Sequence, residues 1–90
     1  MAGQDNVEPL VVFQPISVDT ASPDQTGMLV MVNGLLVAVL ARLDAPWHEC
    51  PGAWHMEAGL GPLMGVRAPV FDTLQDARRW VRRSMQGQAR

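Results

Sequence analysis

The chain has 90 residues, 48% of them hydrophobic, and a formal net charge of −2, with a sequence pI near 5.5. That length supports one domain with a single core. The mild acidity gives no overall attraction for nucleic acid or an anionic lipid surface. One cysteine, Cys50, excludes an internal disulfide and a four-cysteine zinc site, which suits a reducing, cytoplasmic setting.

Residues 1–8 are polar and aperiodic, so they are expected to be disordered, and they show no secretory signal. Residues 10–18 fit a strand in which Leu10, Val12, Ile16 and Val18 share a face. Pro15 lacks an amide donor, which confines that strand to a sheet edge. Residues 19–26, with Ala21-Ser22-Pro23-Asp24, have loop composition.

The next segment dominates the sequence. Residues 28–32 and 35–43 are apolar runs split by Asn33-Gly34, a pair that supplies the two positive φ angles of a type I′ hairpin turn. A single helix over 28–43 is the competing reading, weakened by Gly34 and by valines at 30, 32, 37 and 39. Broken at the turn, the run is shorter than the roughly 18 to 20 apolar residues of a membrane helix. Apart from Arg42, neither run alternates apolar with polar residues, so the hairpin is greasy on two opposite faces and must be covered twice.

Residues 44–52, with Pro46 and Pro51, form a loop. Residues 53–60 then alternate, with Trp54, Met56, Ala58 and Leu60 on a buried face and His55 and Glu57 opposite. A glycine- and proline-rich connection over 59–69 leads to the extended pair Val70-Phe71. Thr73 is placed to cap a helix, with Asp76 three residues on. Leu74, Ala77, Trp80, Val81, Ser84 and Met85 form its apolar stripe, leaving Arg78, Arg79, Arg82 and Arg83 toward water. The helix is expected over 73–86, ended by Gly87, with 87–90 disordered.

The densest polar chemistry lies between Trp47 and Glu57. His48, Cys50 and His55, with Glu57 as a fourth ligand, are the residue types of a zinc site, although their spacing matches no established pattern. Cys50 with His48 or His55 as base is also the minimum of a thiol-nucleophile arrangement, but no orienting third residue is identifiable. A polar loop followed by the wet side of a strand explains the same residues. Gly59, Gly61 and Gly65 superficially resemble a dinucleotide fingerprint, yet Pro62 intrudes and no helix follows directly. The arginine face favours an anionic partner, but no nucleic-acid motif accompanies it, so nucleic acid is disfavoured. Trp54 and Trp80 fit facing layers of the core, Trp47 an exposed contact, and Met28, Met31, Met56 and Met85 core gap-fillers.

These readings converge on a single α+β domain. It holds an antiparallel sheet of three strands, or four with the N-terminal edge, and one C-terminal helix packed on one face. The expected role is a small, non-catalytic, cytoplasmic interaction or structural domain needing no cofactor. It is expected to self-associate as a homodimer through the uncovered sheet surface unless the N-terminal segment covers it. The alternative is a metal-binding or thiol-based site at His48, Cys50 and His55.

Overall fold

The structure, a computed structural model, describes residues 9–88. Four antiparallel strands, β1 (Val11–Ser17), β2 (Thr26–Val32), β3 (Leu35–Arg42) and β4 (Trp54–Gly59), lie in the sheet in chain order. A 3₁₀ turn, Gly61–Leu63, and one helix, α1 (Leu74–Gln88), follow. The architecture is the expected α+β one, with the N-terminal strand as a fourth member at the sheet edge. The expectations for residues 1–8, 89 and 90 lie outside the described residues.

The hairpin turns at Asn33 and Gly34, whose φ angles of 52° and 85° are those of a type I′ turn. Asn33 also anchors the neighbouring strand: its amide donates to the Leu10 carbonyl at 3.0 Å, and its Oδ1 accepts from the Leu10 amide at 3.1 Å. At the other end of the chain, Thr73 Oγ1 accepts from the Asp76 amide at 3.1 Å, which caps α1 as the sequence predicts. The helix then runs through Gly87 to Gln88 rather than ending at Gly87.

One buried cluster joins Ala77 and Val81 of α1 to Val11, Val30, Val32, Ala38, Leu40 and Trp54 of the sheet, with Leu63 and Phe71 from the connection. Full burial of each larger side chain here contributes about 1.5–3 kcal/mol. The helix thus covers one sheet face. Phe71 extends the sheet by pairing its backbone with that of Trp54, two bonds of 2.8 Å, and packs its ring 5.6 Å from that of Trp80.

Two β-bulges alter the faces that simple alternation assigns. Between β2 and β3 the pairing steps from Val30↔Ala38 to Met31↔Leu36, leaving Val37 as the extra residue, so that Val37 and Ala38 are both buried. Between β3 and β4 the pairing steps from Leu40↔Met56 to Val39↔Ala58, leaving Glu57 extra. Beyond that point the parity of β4 flips. Trp54 and Met56 meet the core as expected, whereas Ala58 and Leu60 are exposed. Met31 is likewise not a core gap-filler, because its pairing with Val12 and Leu36 places it on the face away from α1.

In β1 the core-facing residues are Val11 and Phe13, while Leu10, Val12 and Ile16 point to the opposite face and are exposed. Arg78 also departs from expectation. It is half-buried, with its guanidinium 4.6 Å from the Phe13 ring centroid and Nη1 donating to the Val11 carbonyl. A cation over an aromatic face gives it a reason to leave water.

Candidate functional site

The polar cluster between Trp47 and Glu57 divides into separate parts. Asp24, in the loop between β1 and β2, is buried; its Oδ1 accepts from the amides of Asp44 and Ala45, both at 2.7 Å. Its Oδ2 lies 2.6 Å from His48 Nε2. Burial acts to raise the Asp24 pKa, but the Ala45 amide, the His48 ring and the Asp44 amide together outweigh it and hold the carboxyl below its ordinary value. An ionised carboxylate only accepts, so His48 Nε2 carries the proton in this contact. The pair clasps two loops about twenty residues apart in sequence.

His55 belongs to a different pair, its Nε2 lying 2.9 Å from Glu57 Oε2 on β4. Cys50 is exposed and lines, with Leu43, Trp47, His48, Glu49 and Val70, a depression of 350 Å³. Of the sequence candidates His48, Cys50, His55 and Glu57, the structure brings His48 and Cys50 to one depression and sets His55 against Glu57 in a separate contact. Among the described residues, no group of three or more His, Cys, Asp or Glu side chains is placed to hold a metal ion. Trp47 is 67% exposed, as its loop position suggests. Asp24 was not singled out in the sequence, where a lone aspartate in a Ser-Pro loop carries no sign of a distant histidine.

The other distinctive surface is the sheet face opposite α1. Strand pairing arranges it in three rows: Val12, Met31 and Leu36; Gln14, Leu29, Val39 and Ala58; Ile16, Gly27, Ala41 and His55. Val12, Ile16 and Leu36 remain 46%, 42% and 39% exposed. Gln14 and His55 are the polar members of these rows, and the carboxylate of Glu57, the extra residue of the bulge, reaches His55 at the β4 border of the face. At one end the loop after β1 partly closes the face: Val18 Cγ1 would lie 2.8 Å from a Cβ on Gly27, and Ala41 is fully buried. Among the described residues nothing covers the rest of the face.

The free edge of β1 is less inviting than its face. Leu10 and the Val18 amide bond toward β2. By the alternation of an antiparallel ladder, Val11, Phe13, Pro15 and Ser17 therefore turn their backbone polar groups outward. Pro15 has no N–H to offer there, and the Val11 carbonyl already accepts from Arg78. An added strand would find this edge interrupted at both ends.

On the helix, Arg79 and Arg83 are exposed, whereas Arg78 and Arg82 are half-buried. The expected water-facing set of four is thus reduced to two. Among the described residues no helix is long and apolar enough to cross a membrane. No protein-family model matches the chain, and neither a curated protein nor a solved structure shows significant similarity to it.

Proposed function

We propose that this chain is a small non-catalytic interaction domain that pairs with a second copy of itself, open sheet face against open sheet face. The observation that carries the reading is the set of three largely apolar rows with Val12, Ile16 and Leu36 still in water. A contiguous apolar face of this kind marks an interaction surface. It is self-complementary by composition, as a two-fold contact requires. Residues 1–8 contribute Met1, Ala2 and Val7 as apolar side chains, a poor match for a cover within one chain. The interrupted β1 edge favours face-to-face over edge-to-edge association.

Size sets the expected strength. Four strands spaced about 4.8 Å apart, with rows extending roughly 13 Å along them, present a footprint of roughly 250 Å². Pairing two removes roughly 500 Å² from water, well below the standard interface, so the association is weak and readily reversible. Sedimentation equilibrium from about 10 to 300 μM tests this. The mass climbs from 9.8 kDa toward twice that value, and Ile16→Asp returns it to the monomer while the fold persists, because Ile16 is already exposed. A monomer mass across the whole range rejects self-association, and an unchanged dimer in Ile16→Asp rejects this face.

A further inference from the structure

A cleft beside α1 carries a different chemistry from the open sheet face. It encloses 220 Å³ and is lined by Pro69, Phe71, Asp76, Arg79, Trp80 and Arg83. Pro69, Phe71 and Trp80 make its apolar side, the two rings tilted 56° to one another. Arg79 and Arg83, four residues apart, project from the same face of the helix.

These two guanidinium groups are still available to a ligand. Arg79 lies 3.2 Å from Asp76, but the side chains of this pair are 60% and 45% exposed, and a solvated pair of that kind holds its members weakly. A guanidinium also has five N–H donors, of which one contact to Asp76 uses few. Arg83 is exposed and has no side-chain acceptor among the described residues. Arg78, by contrast, is committed to Val11 and Phe13.

We infer that this cleft binds the C-terminal carboxylate of a peptide whose last residue is apolar. The volume falls below the roughly 300–1,000 Å³ of ordinary small-molecule pockets, which suits a single side chain. The fork of a guanidinium matches a carboxylate with two parallel hydrogen bonds, and Arg83 is the free fork. The apolar wall takes the neighbouring group out of water. A nucleic acid strand fits less well: it needs a run of phosphate contacts, and the cleft offers two guanidinium groups at one spot. Phe71 is buried and Trp80 half-buried, so successive bases find no pair of open ring faces to stack on.

The test uses the full chain, isotopically labelled, and two probes that differ in charge alone. N-acetyl-leucinate added to about 20 mM shifts the Trp80 indole N–H and the backbone amides around Arg83, and N-acetylleucinamide binds at least about tenfold more weakly. Arg83→Gln weakens leucinate binding about tenfold while its urea midpoint stays that of the parent protein. The inference is overturned if leucinate leaves these resonances unmoved, if the amide binds equally well, or if Arg83→Gln changes nothing. Tighter binding of a short oligothymidylate at the same resonances overturns it in favour of nucleic acid. The outcome does not depend on self-association, which involves the opposite side of the sheet.

Discussion

A methyl group placed on Gly59 tests how the connection after β4 is packed against the core. A Cβ there would lie 2.2 Å from the Leu63 carbonyl oxygen, 2.9 Å from its carbon and 3.3 Å from its Cβ. The nearest obstacle is main chain, so no rotamer change relieves it; the 3₁₀ turn itself must move by about 1 Å to restore ordinary contact. That turn is held by the Leu60 amide on the Val37 carbonyl at 2.8 Å and by Leu63, which is fully buried in the core cluster. Overpacking costs about 1–3 kcal/mol, and a backbone obstruction belongs at the upper end. Gly59→Ala is therefore expected to lose about 3 kcal/mol, or roughly 12–24 °C in Tm for a domain of this size. Gly34→Ala is the comparison. Nothing lies within 4 Å of a Cβ at Gly34, whose φ of +85° leaves only conformational strain of about 1–2 kcal/mol. Urea unfolding followed by tryptophan fluorescence measures both. If Gly59→Ala unfolds within about 0.5 kcal/mol of the parent protein, the turn does not pack under β4 as described.

Two further perturbations probe the loops and the helix. Asp24→Asn removes a charged acceptor shared by two amides and His48, so it lowers the urea midpoint at pH 7. The folded pKa of Asp24 lies below its ordinary 3.8, so its contribution is present above that value and lost as the pH falls through the folded one. The gap between the two proteins should therefore narrow below pH 3.8, and a gap that stays constant into strong acid would falsify this role for the carboxylate. Thr73→Ala deletes the acceptor for the Asp76 amide and should cost about 1 kcal/mol in thermal unfolding. No loss at all would show that the cap is not formed in solution.

The hairpin, the edge position of β1 and the helix start were legible because each rests on local chemistry: two positive φ angles at Asn33-Gly34, a missing donor at Pro15, a hydroxyl acceptor at Thr73. The surplus apolar face was legible as well, since counting greasy positions in β2 and β3 against one amphipathic helix needs no coordinates. The bulges were not. Val37 and Glu57 are set apart by pairing with a neighbouring strand, and alternation within one strand cannot report an insertion relative to another. That is why Ala58 and Leu60 emerged on the wrong side. Arg78 was misassigned for a related reason, because the Phe13 ring that attracts it comes from the other end of the chain. The Asp24–His48 contact joins positions with no shared motif, so only folding shows that it exists.

Contact between the largely apolar sheet faces of two copies leaves a signature between specific methyl groups. An isotope-filtered NOE measurement on a mixture of labelled and unlabelled chains, at about 300 μM, addresses it atom by atom. Cross-chain NOEs are expected among the methyl groups of Val12, Ile16, Met31, Leu36 and Val39, with none from Val30 or Leu40 beneath the helix or from Val81 on its buried side. Cross-chain NOEs arising from α1 or the Trp47 loop, with silence from the sheet methyls, would contradict the account.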